Sequence, residues 1–168
     1  MHSEYTIQRE AADSFYVVSA GAGQRLDHDW IKKHMPDDGT VRFDNLTNSI
    51  GVLVLAGPKS RDILQKLTRT DLSNEGFPWL SSRLIDVNLA PAMAVRMTYV
   101  GELGWELHHP IEYQNHIFDA LMEAGAHVEL CADDDPRNVE MMRSLGISTL
   151  YIPSGYYTDR DSQLPEFR

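Results

Sequence analysis

The stretch TYVGELGWELHHP, residues 98–110, sets two glycines between runs of aromatic and apolar residues. Its pattern reads as a β-hairpin, with residues 101–104 as a four-residue loop joining two strands. That register places Val100 opposite Trp105 and Tyr99 opposite Glu106. Directly opposed residues share a sheet face, with Cβ atoms about 4.5–5.5 Å apart. An aromatic ring and a carboxylate then stand side by side. The pair suits a flat heterocycle with adjacent N–H donors, because the ring offers stacking area and the carboxylate accepts two parallel hydrogen bonds. The same spacing also fits a plain surface Tyr–Glu pair at a hairpin end.

Working outward, the pattern switches repeatedly between strand and helix. Residues 5–9 and 14–19 read as short strands broken by a turn near Ala12 and Asp13. A helix follows within AGAGQRLDHDWIKKHMPDDG, with Leu26, Trp30 and Ile31 as its buried stripe and Pro36 and Gly39 ending it. Residues 41–45 and 50–56 read as strands. Pro58 suits a first helical position, so 59–68 is expected to be helical with Ile63, Leu64 and Leu67 inward. The dense turn chemistry of DLSNEGFP makes 71–80 a loop. Strands are predicted at 82–88, 93–99 and 105–109. A helix spans 112–123 with Ile117, Phe118, Leu121 and Met122 inward, stopped by Gly125. Together these elements predict an α+β domain of antiparallel or mixed sheet with helices packed on it.

Beyond Ala126 the character changes. CADDDPRN reads as an acidic break, 139–145 as a short helix, 147–152 as a last strand, and GYYTDRDSQLPEFR as a mobile tail. The division is therefore set at 1–126 and 127–168, with a soft boundary near 127–136.

Composition narrows the function classes. The 168 residues suffice for one domain with a real core, and 42% hydrophobic with 24% charged residues is ordinary for a globular protein. No apolar run approaches the roughly 18 residues of a membrane span. The opening MHSEYTIQRE shows no apolar signal core, and a single cysteine, Cys131, fits a reducing compartment, so a cytoplasmic location is expected. A net charge of −10 without a Lys/Arg cluster argues against nucleic acid.

Other motifs carry less. Gly21–Gly23 follows a strand and precedes a helix, but the dinucleotide spacing fails at Leu26. His108, His109 and Glu112 form a weak metal set, since adjacent strand residues point to opposite faces. No metal is expected. Residues 133–135 lack the spacing of a calcium loop. Cys131 has no evident His partner and reads as structural.

Three stretches, DNLTNSIGVLVLAGPKSRDILQKLTRTDLS, FPWLSSRLIDVNLAPAMAVRMTYVGELGWELHHP and IEYQNHIFDALMEAGA, resemble in order and spacing the folate-binding aminomethyltransferase family. This is the glycine-cleavage T-protein fold, also found as the C-terminal part of dimethylglycine and sarcosine dehydrogenases, and the wording is closer to the dehydrogenase type. The resemblance covers about residues 3–126 and implies the family's folate-binding central domain. It implies tetrahydrofolate as cofactor, with Tyr99 and Glu106 contacting the pterin. The family's catalytic carboxylate falls on Glu4, where Glu replaces the usual Asp, and its pterin-contacting Asn falls on Ser19. Arg143, within MMRSLGIS, is the match offered for a pocket arginine.

The implied reaction is acceptance of a one-carbon unit from a small aminomethyl or iminium donor, giving 5,10-methylenetetrahydrofolate. The family's segment before the first strand and its closing helix are not reproduced, so a complete folate cleft is not expected from this chain alone. No flavin is expected on this chain either, since no dinucleotide fold is in view. The alternative is a non-catalytic interaction domain that keeps the fold, with a homo-oligomer or a partner chain covering its apolar faces.

Overall fold

Aromatic and β-branched residues in YTIQR and FYVVS favour two short strands, β1 (Tyr5–Arg9) and β2 (Phe15–Ser19), paired antiparallel. The computed structural model of the chain describes residues 4–99, 101–128, 131–133 and 136–151. A 3-10 turn, Gly21–Gly23, leads into helix α1 (Gln24–His34). Then come β3 (Ile50–Ala56), helix α2 (Ser60–Gln65), β4 (Ser82–Val87), β5 (Ala90–Val95), β6 (Gly104–Pro110) and helix α3 (Gln114–Glu123). The last described elements are β7 (Cys131–Asp133), α4 (Pro136–Ser144) and β8 (Thr149–Tyr151).

The chain divides into two compact units, Met1–Leu121 and Met122–Arg168. In the first, four strands run in the order β3-β6-β5-β4, every neighbour antiparallel. In the second, β7 and β8 pair in parallel and α4 lies between them in sequence, with Val139 buried. The expected α+β class is what the chain adopts.

Side chains of β6 alternate between two environments, as strand geometry requires. Trp105, Leu107 and His109 are fully enclosed, and the cross-strand partners Leu55 and Ala94 are buried with them. Leu64, Phe77, Ile85 and Ile117 complete this core. Phe77 meets Trp105 edge-on at 6.3 Å between centroids. The opposite face of β6 carries Glu106 and His108.

Several expectations are corrected. Residues 41–45 form no strand. The strand expected at 93–99 is Ala90–Val95, entered through a tight turn at Asn88 and Leu89, both with positive φ (47° and 73°). On α1, Leu26 and Trp30 are 58% and 60% exposed, and the buried residue is Asp27, whose carboxylate accepts a 2.9 Å hydrogen bond from the Tyr5 hydroxyl. Within the break expected at CADDDPRN, Cys131–Asp133 is a strand and α4 starts at Pro136, while residues 134–135 lie outside the described residues. The predicted tail, 155–168, lies outside the described residues.

Candidate functional site

The sequence markers GPKSR and GELGWEL meet in space. The Leu103 carbonyl accepts two hydrogen bonds, from the Gly57 N–H at 2.8 Å and from the buried Ser60 hydroxyl at 3.0 Å. The start of α2 thereby clamps the lower end of the loop between β5 and β6. Gly104 is required at that junction: a Cβ there would stand 2.5 Å from the Leu55 carbonyl oxygen and 3.0 Å from the Ala56 Cα. Gly101 holds φ +77°, a left-handed turn position.

The loop is longer than the expected four residues. Val95, not Tyr99, stands opposite Glu106. The reason lies at Arg96. Its N–H donates to the Ser81 carbonyl, its own carbonyl accepts from the Leu80 N–H, and its guanidinium binds the Phe77 carbonyl and Asn74. The Met97 N–H then closes onto the Val95 carbonyl at 2.9 Å, bending the chain out of the ladder. The predicted Tyr99–Glu106 cross-strand pair is therefore absent. Tyr99 sits on the loop, 80% exposed, with its hydroxyl 3.0 Å from the Thr6 Oγ1 on β1.

Glu106 has other neighbours. On β6 it shares a face with His108, two residues on, and the His108 Nε2 lies 3.1 Å from a Glu106 carboxylate oxygen. The other imidazole nitrogen, Nδ1, lies 3.1 Å from the Tyr16 hydroxyl on β2, and the two rings meet edge-on at 5.5 Å. Carboxylate, imidazole and phenol thus form one continuous line from the sheet to the β1–β2 hairpin. Burial pushes the His108 imidazole below the ordinary histidine value, opposed by the hydrogen bond and charge of Glu106 and reinforced by His109. Burial raises the Tyr16 phenol, and the negative charges of Glu10 and Glu106 raise it further. Both directions favour uncharged rings.

The remaining predicted residues scatter. Glu4 is exposed just ahead of β1. Ser19 pairs with Tyr5, which sets it on the hairpin face opposite to Thr6, Gln8 and Tyr16, and so away from Glu106. Arg143 lies on α4 in the second unit and donates to the Thr149 carbonyl at 3.0 Å. Sequence reasoning missed Tyr16 and the role of His108. The Glu-x-His spacing on a strand was an available signal for the pair, whereas the Tyr16 contact joins residues 92 apart in sequence and left none.

A cavity of about 230 Å³ opens between hairpin and sheet, lined by Glu10, Tyr16, Ile50, Leu84, Met93 and His108 among others. This is below the roughly 300 Å³ at which small-molecule pockets begin. Among the described residues no group of three His, Cys, Asp or Glu side chains is arranged to hold a metal, and no helix is long and apolar enough to cross a membrane. His109 points away from His108, to the Leu107 carbonyl and the Gln114 amide oxygen at 2.8 Å.

The first unit thus sets a four-stranded antiparallel sheet beside a separate two-stranded antiparallel hairpin. The chain belongs to the GCVT N-terminal domain family, whose model matches residues 1–145. It is 36% identical over 126 residues to dimethylglycine dehydrogenase, mitochondrial, of Homo sapiens, covering 74% of this chain and 14% of that protein. It is 37% identical over 117 residues to sarcosine dehydrogenase, mitochondrial, of Mus musculus, covering 68% of this chain and 12% of that one. The chain thus spans about a seventh of the length of these relatives. In fold it resembles the heterotetrameric sarcosine oxidase from Corynebacterium sp. U-96 in complex with pyrrole 2-carboxylate, with a TM-score of 0.57, 20% identity, and 73% of this chain and 62% of that chain covered.

Proposed function

We propose that this chain is a tetrahydrofolate-binding domain of the aminomethyltransferase type, in which Glu106 receives the paired N–H donors of the pterin. The observation that carries this reading is the Glu106 carboxylate itself. Its side chain is only 14% exposed, fixed by His108 on a sheet face flanked by Val54 and Val95, with acceptor capacity left over. A carboxylate offers about four lone-pair sites, and His108 takes one. The apolar neighbours suit a flat ring, and the exposed Tyr99 offers an aromatic face on the adjoining loop. Glu4, ahead of β1, is the carboxylate proposed to assist proton movement. When bound, tetrahydrofolate supplies the N5 and N10 nitrogens that take up a one-carbon unit from an aminomethyl or iminium donor. Dimethylglycine and sarcosine, named in the relatives' activities, indicate the class of donor proposed. A reducing compartment, cytoplasmic or mitochondrial, is the proposed setting.

Titration calorimetry with tetrahydrofolate tests the reading. Heat of binding is expected for the intact chain, with a loss of about 10- to 100-fold in affinity for Glu106→Ala, the range of a charge-assisted hydrogen bond. No heat at high micromolar protein, or an unchanged Glu106→Ala, would sink it.

A second reading, an interaction domain without catalysis, is favoured by one observation. Val52, Val54 and Leu84 on the Glu106 face of the sheet are 43%, 59% and 79% exposed. Sedimentation velocity distinguishes it: self-association with a concentration-dependent dimer supports it, and a strict monomer argues against it.

A further inference from the structure

We propose that His108, braced by Tyr16, is a positioning residue that locks the Glu106 carboxylate for its ligand by standing as the neutral Nε2–H tautomer. The inference rests on the folate reading above for the identity of the ligand, but not for the geometry.

The hydrogen-bond line admits one consistent direction. An ionised carboxylate only accepts, so the imidazole nitrogen 3.1 Å from Glu106 must carry a proton. In a neutral ring the other nitrogen is then a lone pair, and the Tyr16 hydroxyl 3.1 Å away donates to it. The reverse tautomer would press an imidazole lone pair against carboxylate lone pairs. Adding a proton to the ring would charge a side chain that is 3% exposed.

The walls around His108 reinforce this. Val52 on β3 and Met93 on β5 stand opposite it, and neither titrates. Gln8 on β1 donates its amide to the Met93 sulfur at 2.9 Å, which fixes that wall. The groups that titrate nearby are Glu106 on the same face, His109 on the reverse face, Tyr16 on β2, and Glu10 at the cavity rim acting on Tyr16. One carboxylate oxygen of Glu106 is thereby held by His108. Placement to within about half an ångström is what separates a bidentate acceptor from a loose one.

The experiment uses the full chain with labelled histidine. Long-range nitrogen–proton NMR at pH 7.5 reads the His108 tautomer without ligand, in wild type and in Tyr16→Phe. Calorimetry with tetrahydrofolate then compares wild type, Glu106→Ala, His108→Leu, His108→Gln and Tyr16→Phe, each checked by circular dichroism for folding. The expected results are an Nε2–H signal in wild type, tautomer mixing in Tyr16→Phe, and a tenfold or greater loss of affinity in His108→Leu. Much of that affinity returns in His108→Gln, whose amide restores a donor at the same place. Tyr16→Phe, which removes one oxygen at the hairpin, keeps the test open if His108→Leu fails to fold, and it should lose several-fold in affinity. An Nδ1–H or doubly protonated ring overturns the proposal, as does wild-type affinity in Tyr16→Phe or in folded His108→Leu while Glu106→Ala has lost binding. A silent wild-type titration overturns the folate reading, and the tautomer signal alone then decides whether His108 holds Glu106.

Discussion

The two faces of β6 carry different loads. Trp105, Leu107 and His109 are sealed against α3, Phe77 and the neighbouring strands. Glu106 and His108, on the alternate positions, hold a polar line to the hairpin beside exposed valines. One strand therefore divides two environments at single-residue resolution, because adjacent side chains point to opposite faces. A change on the sealed face should cost the most in unfolding, and a change on the Glu106 face less.

The sharpest way to break this contrast is Trp105→Ala. Emptying a fully buried indole, with Arg61 and Arg96 at about 6.0 and 5.9 Å over its ring, should remove about 3–5 kcal/mol, read as a shift in the urea midpoint. A loss under about 1 kcal/mol would mean that the face is not the core.

A smaller effect sharpens the other side. The buried His108 resists protonation in the folded chain, whereas the unfolded imidazole takes a proton near pH 6.5. Its contribution is fully present above that value and is lost as pH falls through the lower folded value. The urea midpoint should be lower at pH 5.5 than at pH 7.5, with a smaller drop in His108→Gln. Equal drops in both proteins would detach His108 from the effect.

Smallest is Leu89→Gly, at a position on neither face. Leu89 holds φ 73° at the β4–β5 turn and is 91% exposed, so glycine relieves left-handed strain without removing a contact. The variant should gain up to about 1 kcal/mol in thermal unfolding, with tetrahydrofolate affinity unchanged.

These contrasts also explain what could be read from residues alone. The strands at Ile50–Ala56 and Gly104–Pro110 and the helix at Gln114–Glu123 were legible, because periodicity and turn chemistry agreed there. The register of the hairpin was not. MTYV has the composition of a strand, yet Arg96 commits its backbone to Leu80 and Ser81 and its side chain to Phe77 and Asn74. Those partners lie many residues away and outweigh local propensity. The same limit applies to α1, where the spacing of Leu26 and Trp30 suggested an inward stripe. The inward contact belongs instead to Asp27, which meets a tyrosine on β1. Of the candidate site, the motif pointed to Glu106 as a proposal, while its link to Tyr16 through His108 depends on how the hairpin crosses the sheet.

Because β6 is an inner strand, bonded to β3 on one side and β5 on the other, the peptide groups at Glu106 belong to the ladder. Side chains at 54, 95 and 106 can then vary on a mounting that the neighbouring strands hold in place.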